Sequence, residues 1–168
     1  MQFLKIMAFC VLAALLYGVV HDQVIARICV EYFSTFRTQS PTMLGLGWGI
    51  LATWWVGAFL GVLLAIAARA GSRPKLRMPV LLNPVLKLFA VMALSALLAG
   101  LAAYLLARSG PDWVLASLTR STPARFVAAW CAHGASYGVG LVRGIFICVA
   151  QYRKRGSPVR FDNLPQFR

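Results

Sequence analysis

His21 and His133 are the only histidines of the chain, and Asp22 and Glu31 are two of its four acids. An imidazole beside a carboxylate can share a proton, hold a cation or orient a small polar ligand. Ionisable residues inside apolar segments are costly and usually face the protein interior. The segment 126–150 contains two of them, His133 and Arg143. At about 100° per residue around a helix, His133, Ser136, Tyr137, Gly140, Arg143 and Gln151 fall on one face. The opposite face holds Cys131, Val142, Ile145 and Val149 and suits lipid. Near the N-terminus, Tyr17 and His21 share a face with Cys10, Ala14 and Gly18, and Asp22 continues that four-residue line. The candidate polar cluster is therefore His21, Asp22, Glu31, His133, Tyr137 and Arg143, on the outer side of a membrane.

Two readings of the cluster compete. In one it is an ion, proton or small-ligand site open to the outside. In the other it is a set of interhelical hydrogen bonds, with an Asp22–Arg ion pair, that fixes packing. Polar glue of that kind is common in membrane bundles, and the sequence alone favours it. Arg143 also has a stem long enough to snorkel to the inner surface.

Other chemistry is poorly supported. The sequence has no H-E-x-x-H, no G-x-S-x-G, no phosphate loop and no carboxylate pair at helical spacing, so no enzymatic activity is expected. Cys10, Cys29, Cys131 and Cys148 form no C-x-x-C pair, which leaves packing thiols and no metal site. Haem ligated by both histidines would need them at equal depth. If the first helix ends at Val20, His21 lies at the membrane edge and His133 two turns inside, a mismatch of about 10 Å. No cofactor is expected.

The elements that must position these groups follow from composition. Of 168 residues 60% are apolar and 12% charged, with a formal net charge of +13. The mean hydropathy is +0.74. Soluble domains carry about 25% charged residues, so a soluble enzyme, a disordered chain and a coiled coil are excluded. Four apolar runs are long enough to cross a bilayer, at about 3–20, 43–68, 85–107 and 126–150. They predict an all-α, polytopic four-helix bundle over residues 1–155, followed by a basic tail, 156–168. Lys5 and the apolar run behind it resemble a signal peptide, but Val20 fits a cleavage site poorly, so an uncleaved first helix is expected. The third helix is expected to start after Asn83-Pro84, and the fourth after Ser121-Thr122-Pro123. His21 to Phe36 has helical spacing and predicts a short outer amphipathic helix or an extension of the first one. A few interfacial turns are expected around Trp113.

Positive charge is placed rather than spread. The connector 69–87 carries five basic residues and the stretch from Arg153 to Arg168 another five, whereas 21–42 has two basic residues against two acids and 108–125 three against one. Both termini and the middle connector are therefore expected in the cytoplasm. No basic stretch alternates with stacking aromatics, so no nucleic-acid partner is expected. The partners are the lipid bilayer and, for so small a bundle, further copies of the chain or a larger membrane complex. Small residues recur every four positions in all four runs, most completely at Gly45, Gly49, Thr53, Gly57, Gly61 and Ala65. The others are Ser95–Ala99–Ala103–Ala107 in the third run and Ala128–Ala132–Ser136–Gly140–Gly144 in the fourth. Such stripes let helices approach closely in lipid, where apolar burial gives no driving force.

The stretch HDQVIARICVEYF at 21–33, with LGWGILATWWVGAFLGVLLAIAARAG at 46–71, resembles a group of small, uncharacterised bacterial membrane proteins. The resemblance implies a bacterial inner-membrane location and no particular activity, and it marks His21, Asp22, Arg27, Glu31, Trp54 and Trp55 for mutation. The expectation is a non-enzymatic accessory or structural component of a membrane complex. The alternative is a small transporter, channel or cofactor-carrying subunit that uses the polar cluster.

Overall fold

The computed structural model describes residues 1–33, 40–109 and 122–156. They form four long helices: α1 (Gln2–Ile28), α2 (Pro41–Arg69), α3 (Met78–Ser109) and α4 (Pro123–Lys154). A single 3-10 turn, Val30–Phe33, follows α1. Each of the four helices is long and apolar enough to cross a membrane. The helices run up-down-up-down, with the 70–77 connector at one end (the connector end) and the 3-10 turn at the other (the turn end). The interfacial turns expected around Trp113 and most of the basic tail lie outside the described residues.

The bundle is built from two helix pairs, α1 with α2 and α3 with α4. The first pair meets backbone to backbone. A Cβ added at Gly49 would lie 2.5 Å from Val19 Cα, and one at Gly57 would lie 2.8 Å from the Cys10 carbonyl oxygen. Gly45 and Gly61 face the α1 backbone in the same way. Thr53 interrupts the glycine series and is buried, and its hydroxyl donates to the Gly49 carbonyl one turn back. On α1 the matching line is Cys10, Ala14, Gly18, Asp22 and Ala26, all buried.

The second pair departs from the expected small-on-small packing. The buried face of α3 is Leu81, Val85, Leu88, Met92 and Ala96. The Ser95–Ala99–Ala103–Ala107 stripe lies beside that face and is only half-buried. Small meets small only near the turn end, where a Cβ at Gly100 would lie 3.2 Å from Ala132 Cβ and 3.3 Å from the Ala128 carbonyl oxygen; further along, larger side chains of α3 lie over small ones of α4. A Cβ at Gly140 would meet the end of the flexible Met92 side chain at 3.0 Å, with no backbone in the way.

One open boundary is decided and another differs from expectation. α1 runs eight residues past Val20, because the polar residues there face the bundle instead of ending the span. α3 starts at Met78, so Pro84 lies inside it. A proline this close to a helix start costs little, since it frees only the carbonyl of Val80, which is itself exposed. Both α2 and α4 begin with proline at the first positions, after Ser40 and Thr122.

The buried apolar residues form two groups. The connector-end group includes Ile6, Cys10, Leu64, Ala65, Leu81 and Val85. The turn-end group includes Ile25, Cys29, Phe33, Leu44, Ala96 and Ala129. Cys29, expected outside the packed runs, is buried, with its sulfur 3.8 Å from the Thr122 hydroxyl. Large apolar side chains such as Leu12, Leu16, Leu97 and Phe146 point outward, as a bilayer requires.

Candidate functional site

The extension of α1 to Ile28 puts His21 and Asp22 about two turns before its end, at the level of His133 on α4. Asp22 is buried because it continues the small-residue line against α2, and His133 because it follows Ala129 and Ala132 on the inward face of α4. His133 Nε2 lies 3.0 Å from Asp22 Oδ1. On its other side, His133 Nδ1 contacts the Ala129 carbonyl oxygen at 3.3 Å. A carbonyl can only accept, so Nδ1 carries the hydrogen in that contact. Nε2 then turns a lone pair, or a second proton, toward the carboxylate.

His21 completes the cluster. Its ring meets His133 edge-on with centroids 4.6 Å apart, and its Nε2 is buried without a hydrogen-bond partner. One ligand atom from each of His21, Asp22 and His133 can lie within 4.8 Å of the other two. The wall around them is aromatic. Tyr32 stacks on His133 at 4.8 Å, and Phe33 stands edge-on to it at 6.2 Å. Tyr17 stacks on His21 at 5.7 Å and shares a 2.6 Å hydrogen bond with the Ser136 hydroxyl. The Tyr32 phenol, on the turn outside the spanning helices, has its pKa raised by burial and then by the Asp22 carboxylate. It therefore stays neutral at ordinary pH.

A cleft of about 690 Å³ opens beside the cluster, between α1, α3 and α4. Tyr17 and His21 form its polar wall, Ile25, Leu97 and Ala128 line it, and Arg27 and Arg125 also border it. Arg27 is turned to the Gln23 carbonyl at 2.7 Å and to the side chains of Gln23 and Thr42.

The sequence-predicted residues divide as follows. His21, Asp22 and His133 come together. Tyr137 is adjacent, its ring 6.0 Å from that of His133, but it is 40% exposed and lines a smaller cleft between α2, α3 and α4. Glu31 is half-buried on the 3-10 turn and is not one of the three converging donors. Arg143 does not belong to the cluster. It is exposed and lies ten residues beyond His133, about 15 Å along the helix axis. Its angle on the helical wheel was near the seam, but α4 buries its narrower strip of Ala132, Ser136 and Gly144. The partner of Asp22 is His133 rather than an arginine.

The expected depth mismatch between the histidines also fails, since their rings touch. As they stand, the two rings leave no width for a porphyrin held between them.

Tyr17 and Tyr32 belong to the site, and sequence reading gave neither a role in the cluster. Tyr17 was legible as sharing the His21 face; nothing in the sequence places Tyr32 on His133. A second buried ionisable group was also missed. Arg155, after the last turn of α4, is 3% exposed. It donates to the carbonyls of Ala67, Ala70, Arg73 and Pro74 at 2.7–3.0 Å, clamping the connector.

No protein-family model matches the chain, and no curated protein or solved structure matches it.

Proposed function

We propose that this chain is a small, non-enzymatic, multi-pass protein of a bacterial inner membrane whose polar cluster is a binding site and not packing glue. The resemblance of 21–33 and 46–71 to small bacterial membrane proteins and the placement of basic residues support that location. Both termini and the 70–77 connector are then cytoplasmic, and the His21–Asp22–His133 cluster lies in the outer half. The observation that carries the site reading is the His21 Nε2 atom, buried and unpaired beside the Asp22–His133 pair, at the wall of a 690 Å³ cleft. Polar groups that serve only packing are normally satisfied by one another. The chain acts within a membrane complex as the subunit that holds a small ligand.

Native mass spectrometry of protein released from membranes in mild detergent tests this. A small bound species is expected on the wild type and absent from Asp22→Asn. A bare chain in both would return the cluster to packing. Reporter fusions at Gly71 and Ser40 test the orientation, with cytoplasmic signal expected at the first and external signal at the second. The reverse pattern would invert the site to the inner leaflet.

A further inference from the structure

We propose that the ligand is a first-row divalent metal ion, held by His21, Asp22 and His133. This deepens the site reading above and rests on it. The contact of His133 Nδ1 with the Ala129 carbonyl at 3.3 Å suits the tautomer that carries its hydrogen on Nδ1. His133 Nε2 and Asp22 Oδ1 then face each other at 3.0 Å, lone pair to lone pair unless a cation lies between them. A proton or a metal ion meets that need. The third donor decides between them. A proton shared by Asp22 and His133 gives the His21 ring no role, whereas a metal ion takes one of its nitrogens as a third ligand.

Two imidazoles and one carboxylate are a donor set suited to zinc and its first-row neighbours rather than to calcium or magnesium, which take oxygen. A tetrahedral zinc site has bonds of about 2.0–2.2 Å to nitrogen and oxygen. Donor atoms within 4.8 Å of one another reach that geometry through small side-chain movements. A ligating histidine usually donates its other ring N–H to a carbonyl or carboxylate, as His133 does to Ala129. Tyr17 and Tyr32 brace the two rings by stacking.

Three protein ligands leave a fourth position, the pattern of sites that exchange a ligand or a metal, whereas structural zinc sites are closed by four. Of the three donors, His21 borders the cleft, so the cleft is the side from which a fourth ligand would approach. Of the hydroxyls around the donors, those of Tyr17 and Ser136 are engaged with each other at 2.6 Å. Holding and passing on the ion is the chemistry that the site supports.

The test uses the full-length protein in detergent, purified without a histidine tag and stripped with a chelator. Co²⁺ serves as the spectroscopic probe and Zn²⁺ as its competitor. One equivalent of Co²⁺ should bind with visible ligand-field bands of a four-coordinate N,O site, and Zn²⁺ should displace it. His21→Gln and His133→Gln should abolish the bands. Asp22→Asn, the variant closest in shape, should weaken binding by more than about tenfold, as losing a ligand costs at least what losing an outer-shell partner does. Melting curves of the variants separate lost ligation from lost folding. If the histidine variants fail to fold, Asp22→Asn decides alone.

Saturable Co²⁺ binding that survives all three substitutions would overturn the proposal, as would no saturable binding at all. Absence of metal binding together with an organic species, present on the wild type and lost in Asp22→Asn, would overturn the metal and keep the site.

Discussion

Arg155 at the connector end and the Asp22–His133 pair toward the turn end are both buried, and they are treated in opposite ways. Arg155 gives four N–H bonds to four carbonyls. Ala67 and Ala70 lie at the C-terminal end of α2, where the helix dipole is negative and a guanidinium is welcome. The planar fork ties α4 to the connector and leaves almost no donor over. At the other end, three donor atoms converge while the His21 Nε2 has no partner. A saturated buried charge is a brace. An unsaturated cluster of lone pairs beside a cleft is a place where something else is bound.

The sharpest way to break this contrast is Arg155→Met. It keeps the stem and strips four carbonyls of their donor, and should lower stability by on the order of 3 kcal/mol. Denaturation in detergent reads the loss, and limited proteolysis should show cleavage in the 70–77 connector. Arg155→Lys should fall between the two, since an ammonium cannot reproduce the fork. A wild-type melting curve for Arg155→Met would strip the clamp of its bracing role.

Asp22→Asn comes next. The amide preserves shape and much of the hydrogen bonding, so a loss of about 1 kcal/mol is expected, with cation binding affected far more than folding. A loss as large as that of Arg155→Met would make both ends braces and remove the contrast.

Arg73→Ala should have the smallest effect. Arg73 lies over the Tyr152 ring at 4.3 Å and donates to the Tyr152 carbonyl at 3.3 Å, but it is exposed. An exposed cation–π contact contributes roughly 0.5–1 kcal/mol. A larger loss would show that the connector is held by the whole basic group and not by Arg155.

The helices were legible in the sequence because four apolar runs of spanning length leave few alternatives. Their ends were harder. His21, Asp22, Gln23 and Arg27 look like a membrane exit, yet the first two face inward, and α1 continues to Ile28. The choice between an extended first helix and a separate surface helix was open, and the end at Val20, about 12 Å of helix rise short, produced the false depth mismatch between the histidines. The shared face of His133, Ser136 and Gln151 was legible from periodicity, and all three are buried. The pairing of Asp22 with His133 was not, since the vertical register between α1 and α4 depends on where each helix begins. Arg155 was invisible for a different reason. In a basic tail it looks like one topology signal among several, and only the path of the connector gives it four carbonyls.

The glycine seam between α1 and α2 carries a consequence for how this protein tolerates change. Gly45, Gly49, Gly57 and Gly61 face mostly main-chain and Cβ atoms of α1, the Gln23 amide beside Gly45 being the exception, so the seam depends little on the neighbouring side chains. The positions impose a ceiling on volume and no demand on chemistry. The outward Leu, Ile and Val residues on the same helices can interchange without altering the seam, so drift on the lipid-facing surface leaves the pair intact. A single added methyl at Gly49 strikes backbone that cannot move aside. Tolerance in this helix pair therefore varies sharply around its circumference, from near-complete to almost none within one turn.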